Sequence, residues 1–222
     1  PETATELKRA MPGRLMLGLI PTIAPYRLHR VIPGFLASYP KVELEIREMK
    51  TADIYSSLNS DALAAGLLAG GMCPDSIAEE ELFNDRFYAY VSPSNPLYEK
   101  GNVRIEDIDM KELLLLSDGH CLRDQILELC HSRRTNNQHC SFESGSLDTL
   151  MRIVDCTRGM TILPEMAVSF VPDGSRQQLK SLARGATSRK ITVAVRRTYV
   201  KSSLIAALRE SIMEVVGASA AN

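Results

Sequence analysis

The sequence lacks a net charge, a long apolar run and a dense set of cysteines, and each absence excludes a class of protein. Its 26 Lys and Arg nearly cancel 27 Asp and Glu, so the chain lacks the basic excess of a domain that grips nucleic acid by itself. Its longest apolar stretch, residues 62–72, is interrupted by glycines and falls short of the about 18 residues that a membrane span needs. The sequence therefore predicts neither DNA binding by this chain alone nor a membrane partner.

Five cysteines in 222 residues are too few, and odd in number, for the framework of a secreted disulfide-rich domain. We therefore expect a cytoplasmic protein. An isolated cysteine in a reducing compartment is usually a small buried hydrophobe, and this is the expectation for Cys73 and Cys156. The composition, 45% hydrophobic and 24% charged, is typical of a globular protein with one large domain or two smaller ones.

Aliphatic runs alternate with helical patterns along the chain, which is typical of an α/β fold with a largely parallel sheet. The predicted strands are residues 14–20, 42–46, 63–69, 87–91, 113–116, 160–163 and 190–195. The predicted helices are residues 22–39, 52–58, 122–130, 147–154 and 204–216. A glycine pair, Gly70 and Gly71, separates two sets of these elements, and two lobes of about 100 residues each match the usual domain size.

Residues 117–131 predict an amphipathic helix with a cysteine near each end. Two preferred amino-capping residues, Ser117 and Asp118, precede the first helical turn. The apolar face of the helix, which we expect to be buried, consists of Leu122, Ile126 and Leu129.

Cys121 falls in the first turn of this predicted helix. Unpaired backbone N–H groups and the positive end of the helix dipole stabilise a thiolate there relative to a thiol. His120 and Arg123 are neighbours that add positive charge if the loop geometry allows it, and we expect Arg123 to support the thiolate. The segment therefore predicts a reactive thiol.

Cys130 lies nine residues after Cys121, which separates their Cα atoms by about 13.5 Å in a straight helix. A disulfide needs about 4.4–6.8 Å, so the two thiols can join only if the helix unwinds. Closing this loop contributes about 2.7 kcal/mol of chain entropy, which is similar to the cost of losing two or three buried Leu or Ile contacts. The spacing gives a reversible switch, if the bond forms.

Three other interpretations of this segment stay open on spacing alone. A metal site is disfavoured because no Cys-x2-Cys or His-x3-His pair occurs, although three His-Cys pairs crowd together at residues 120–121, 130–131 and 139–140. A thiol hydrolase needs a His and an Asn or Asp from elsewhere in the fold, and nothing local selects them. The third interpretation is an ordinary amphipathic helix with two incidental cysteines.

The motif DGHCLRDQ at residues 118–125, followed by Cys130, resembles the redox segment of the peroxide-sensing members of the LysR-type transcription regulators. GLIPT at residues 18–22 resembles the first strand and helix of that family's regulatory domain, and GMTILP at residues 159–164 resembles its late turn. The resemblance extends from Leu15 to about Glu214, and the cysteine segment is its specific part.

The resemblance implies a two-lobed fold like that of type II periplasmic binding proteins, with the second lobe inserted into the first. Residues 1–73 and 190–222 would then form lobe I, and residues 74–189 would form lobe II with the redox cysteines. It also implies an amino-terminal winged helix-turn-helix, absent from this chain, that reads DNA in a longer protein. The expected partners are a second copy of the chain and, through that missing domain, DNA.

By position, the resemblance further implies that Cys121 is the peroxide-reacting thiol and Cys130 the thiol that forms a disulfide with it. Thr22, Thr51 and His120 match polar groups around the peroxide, although by residue chemistry alone Thr22 is a helix cap and Thr51 a turn residue. The implied partners are hydrogen peroxide and a thiol reductant, with no cofactor, no metal and no enzymatic turnover. The alternatives are a metabolite-sensing LysR-type domain with incidental cysteines and a thiol peroxidase.

Overall fold

The computed structural model describes residues 12–71, 73–130, 145–183, 188–199 and 203–220. The strands are β1 (Gly13–Leu19), β2 (Val42–Glu48), β3 (Ala65–Ala69), β4 (Ile77–Val91), β5 (Asn102–Arg104), β6 (Met160–Pro164), β7 (Leu179–Ala183) and β8 (Ser188–Arg196). The helices are α1 (Ala24–Ser38), α2 (Thr51–Asn59), α3 (Cys121–Leu129), α4 (Leu147–Cys156), α5 (Glu165–Val168) and α6 (Ser203–Ala220). The alternation of strands and helices confirms the predicted α/β class. The expectation of a largely parallel sheet is wrong, because β3 pairs antiparallel with β8, and β4 pairs antiparallel with β6 and β7.

The chain divides into two compact units, unit 1 with Pro1–Phe83 and Lys190–Asn222, and unit 2 with Asn84–Arg189. Unit 2 is therefore an insertion between two parts of unit 1. The lobe boundaries implied by the resemblance, at residues 73 and 190, remain a prediction.

Among the described helices, none combines the length and the apolar character that a membrane span requires.

Unit 1 is built on the strand order β2-β1-β3-β8. β1 pairs in parallel with β2 and β3, and β3 pairs antiparallel with β8. All five residues of β3 are buried, and a Cβ on Gly66 would lie 2.4 Å from Ile54 of α2. The glycine therefore lets α2 pack directly on the backbone of β3.

Unit 2 is built around the second half of β4, which pairs antiparallel with β6 and β7, while β5 pairs in parallel with β7. Residues 113–116 are buried, but the predicted strand there is wrong. Leu113 makes only an isolated bridge with Met160, and the Leu114 carbonyl accepts a hydrogen bond from the Thr161 side chain at 2.8 Å. A side chain satisfies this carbonyl, so the segment does not extend into a ladder.

β4 is much longer than predicted, because its polar first half continues the strand from Ile77. Asp85 of this strand is buried and accepts hydrogen bonds from Arg189 Nε at 3.0 Å and from the Met166 N–H at 3.1 Å. Burial raises the pKa of Asp85, and the charge of Arg189 opposes that shift. Both side chains of the pair are almost fully removed from water, so each charge depends on the other for compensation.

Candidate redox site

Cys121 is the first residue of α3, and Cys130 follows directly after its last residue. His120 occupies the amino-cap position without a side-chain capping bond, so the predicted capping by Ser117 and Asp118 is wrong. Gly119 has a φ of 87°, a left-handed conformation that favours glycine. The amino-cap position therefore falls at His120, two residues after Asp118, and the helix begins at Cys121, one residue before the predicted start at 122.

Both cysteines are free, half-buried thiols. The intact helix between them confirms the helical prediction, and its rise holds the two Cα atoms about 13.5 Å apart, beyond the reach of a disulfide. Burial raises the pKa of the Cys130 thiol. This arrangement is a dithiol separated by a folded helix.

The apolar face of α3 is only partly as predicted. Leu122 and Ile126 are buried as expected, at 0% and 2% exposure, but Leu129 is half-buried. Gln125 also lies on this face, and its buried Oε1 has no hydrogen-bond partner among the described residues. Sequence reasoning missed Gln125, although its position three residues after Leu122 places it on the apolar face. A polar group on the buried face weakens the packing of α3.

Arg123 joins the first turn of α3 to the segment before it. Its Nε lies 2.9 Å from the Asp118 carboxylate, and its Nη1 donates to the Leu116 carbonyl oxygen at 3.0 Å. We call these two contacts the Arg123 brace. The support of Arg123 for the Cys121 thiolate stays a prediction.

The three polar residues assigned to peroxide belong to different units. His120 is buried in unit 2, at the start of α3. Thr22 and Thr51 belong to unit 1 and follow β1 and β2, two parallel strands whose last residues, Leu19 and Glu48, are paired. The two threonines therefore lie at one edge of the sheet, where α/β folds commonly place polar groups for ligands.

The state of each threonine differs. Thr22 is buried just before α1. Thr51 is the first residue of α2, and its buried Oγ1 has no hydrogen-bond partner among the described residues. A buried hydroxyl without a partner is unusual, so Thr51 retains hydrogen-bonding capacity.

The other cysteines are distributed differently from the expectation. Cys156 is exposed at the end of α4, because that helix turns its buried residues, Val154 among them, to one face and leaves Cys156 on another. Cys73 is half-buried, with its Sγ 4.0 Å from the Ile77 carbonyl oxygen. Burial of these two cysteines was therefore a wrong expectation for Cys156 and only partly correct for Cys73.

The structure describes only some of the residues of the alternative metal site. His131, His139 and Cys140 lie outside the described residues. Within the described ranges, no group of three or more His, Cys, Asp or Glu side chains is placed to hold a metal ion.

The α/β fold with one compact unit inserted into another matches the periplasmic-binding-protein-like class of LysR substrate-binding domains. The family model for the LysR substrate binding domain matches residues 8–217. The chain belongs to this family.

Two curated proteins are similar to this chain in sequence. The chain is 32% identical over 180 residues to the "Hydrogen peroxide-inducible genes activator" of Haemophilus influenzae, covering 81% of this chain and 58% of that protein. It is 33% identical over 167 residues to the "DNA-binding transcriptional dual regulator OxyR" of Escherichia coli, covering 75% of this chain and 54% of that protein. The chain thus spans little more than half the length of these curated relatives.

The chain is also similar to a solved structure. The reduced form of the OxyR regulatory domain from Pseudomonas aeruginosa superimposes with a TM-score of 0.79 at 29% identity, covering 91% of this chain and 98% of that one. The fold of the chain is therefore that of an OxyR regulatory domain.

Proposed function

We propose that this chain is the peroxide-sensing regulatory domain of a DNA-binding transcription activator, and that it responds through a reversible Cys121–Cys130 disulfide. The observation that carries the proposal is a short helix bounded by two free thiols, which cannot join while the helix is intact. The names of the relatives, a peroxide-inducible activator and a DNA-binding regulator, support the same function.

The chemistry has two steps. The Cys121 thiolate attacks one oxygen of hydrogen peroxide, the O–O bond breaks, and the products are a Cys121 sulfenic acid and hydroxide, which takes up a proton to become water. The Cys130 thiol then displaces the sulfenic oxygen as a second water, and a disulfide remains. A thiol reductant then reduces the disulfide to the two cysteine thiols by thiol–disulfide exchange and is itself oxidised to a disulfide. The proposal assigns Thr22, Thr51 and His120 to peroxide by their positions in the sequence.

The conformational signal arises from the unwinding of α3. Joining Cys121 to Cys130 requires α3 to unwind, which removes Leu122 and Ile126 from their buried positions. The refolded segment changes the surface that the chain offers to a second copy of itself. In the longer protein, such a change re-spaces paired DNA-binding domains on their half-sites.

Limiting peroxide followed by mass spectrometry tests the proposal. We expect Cys121 to be oxidised first and a single Cys121–Cys130 disulfide to accumulate with one equivalent of peroxide. Cys130→Ser should instead trap a Cys121 sulfenic acid, and Cys156→Ser, which changes an exposed thiol, is the matched control.

Three results would contradict the proposal. Earlier oxidation of Cys73, Cys140 or Cys156 would mean that another thiol senses peroxide. No stoichiometric thiol loss would favour a metabolite sensor with incidental cysteines. Sustained peroxide consumption with reductant would favour a thiol peroxidase.

A further inference from the structure

The Arg123 brace connects two segments that the proposed switch must separate. The guanidinium reaches back across the amino end of α3 to Asp118 and to the Leu116 carbonyl oxygen. Between these contacts and the helix lie Gly119, in its left-handed conformation, and His120 at the amino cap. The brace therefore closes the turn that places Cys121 at the start of α3.

The two contacts differ in strength. The Asp118 carboxylate is 65% exposed, so its ion pair with Arg123 is screened by water and is weak. The bond to the Leu116 carbonyl is partly buried, and Arg123 itself is only 23% exposed. A charge-assisted hydrogen bond in such a position is the stronger of the two.

We propose that Arg123 is a positioning residue that stabilises the reduced conformation of residues 116–120 and opposes disulfide formation. This inference rests on the proposed disulfide switch. Oxidation must bring the Cα atoms of Cys121 and Cys130 within about 7 Å, and the proposal places the unwinding in the first turn of α3, which carries Arg123. The brace cannot persist through that change, so it belongs to the reduced state alone.

Two effects of Arg123 can therefore be distinguished, one on the rate of Cys121 oxidation and one on the equilibrium between dithiol and disulfide. A group that supports the thiolate changes how fast Cys121 reacts with peroxide. A brace that exists only in the reduced state changes instead the balance between dithiol and disulfide. Losing it should shift this balance toward the disulfide.

The experiment measures both quantities in the same set of variants. The equilibrium between dithiol and disulfide is titrated in glutathione buffers for Arg123→Gln, Arg123→Lys and Asp118→Asn. The rate of Cys121 oxidation by peroxide is measured for each substitution in a Cys130→Ser background, where no disulfide can follow. Far-ultraviolet circular dichroism of the reduced forms checks folding, and the exposed Asp118→Asn carries the test if an Arg123 variant does not fold.

We expect Arg123→Gln to shift the equilibrium about tenfold toward the disulfide, which corresponds to a reduction potential about 30 mV lower for this two-electron couple. Asp118→Asn, which breaks only the exposed contact, should shift it about threefold. Arg123→Lys keeps the charge but not the two-point geometry and should lie between them. With Asp118→Asn the oxidation rate of Cys121 should stay within about twofold of the parent.

A tenfold slower oxidation in Arg123→Gln with an unchanged equilibrium would overturn the inference and assign Arg123 to the thiolate. An equilibrium unaffected by Asp118→Asn in a folded protein would also contradict a brace that includes that carboxylate. Failure of the proposed function looks different, because the parent chain would then form no Cys121–Cys130 disulfide in any glutathione buffer.

Discussion

Two helices of unit 2 differ in how they are held. α4 has a conventional start, since the Ser146 side chain accepts a hydrogen bond from the Thr149 N–H. Its apolar face is complete, with four buried residues: Leu147, Leu150, Met151 and Val154. α3 has no side-chain cap, buries only Leu122 and Ile126, and carries a buried Gln125 oxygen without a partner among the described residues.

The difference separates a helix that stabilises itself from one that depends on its surroundings. α4 satisfies its first turn from its own residues and packs a full face. α3 relies on the Arg123 brace at its amino end and on two buried side chains. Segments that move in a switch come from the less stable parts of a structure, and α3 has the features of such a segment.

The most severe test of this comparison is amide hydrogen exchange before and after peroxide treatment. Oxidation should accelerate exchange in residues 122–130 on the order of a hundredfold, because helical hydrogen bonds are lost when the disulfide forms. Protection in α4 should not change. Unchanged protection of α3 with a confirmed Cys121–Cys130 disulfide would contradict the unwinding.

A matched pair of cavity substitutions sharpens the comparison. Leu122 of α3 and Leu150 of α4 are both fully buried, so Leu122→Ala and Leu150→Ala should each lower the free energy of unfolding of the reduced protein by about 3 kcal/mol. Urea unfolding of the oxidised protein should retain that loss for Leu150→Ala but show a much smaller one for Leu122→Ala. Equal losses in both redox states would mean that Leu122 stays buried after oxidation.

The smallest expected effect concerns the carboxyl end of α3. Burial raises the pKa of Cys130 above its ordinary value of 9.0, so the neutral thiol contributes stability in full below that value. As the pH rises toward the higher folded pKa, the unfolded chain loses its proton first and the reduced protein becomes less stable. Urea unfolding between pH 7 and 11 should show this loss, and Cys130→Ser should reduce it.

The disulfide form provides the control for that measurement, because it has no Cys130 thiol to titrate. A pH dependence that is the same in the reduced protein, the oxidised protein and Cys130→Ser would assign the loss to other groups.

Periodicity predicted most elements because burial on one face leaves a direct imprint on the sequence. The apolar spacing of α3 is such a pattern, and the helix appears where it was predicted. β8 also appears where it was predicted, although its residues 191–195 are all buried and not alternately exposed. Residues 113–116 have the same apolar imprint but no ladder, since whether a buried segment pairs depends on its neighbours, here Met160 and Thr161. Burial is therefore predictable from the sequence, whereas pairing is not.

The candidate site shows a similar limit. The two cysteines and their helix followed from the sequence, but the cap did not, because the sign of φ at Gly119 is set by the turn and not by Ser117 or Asp118. The brace was also missed. Arg123 has no sequence signal that distinguishes a contact with the Leu116 carbonyl from support of the nearby thiolate.

The buried pair of Asp85 and Arg189 has a topological consequence. These residues lie 104 positions apart, yet they stand at the two ends of unit 2, whose limits are Asn84 and Arg189. The ion pair therefore holds together the first and last residues of unit 2, as a crosslink between them would. When the first and last residues of an inserted domain lie close together, the chain that flanks the insertion is nearly continuous in space. Unit 2 therefore has the geometry of a domain that tolerates insertion into another chain.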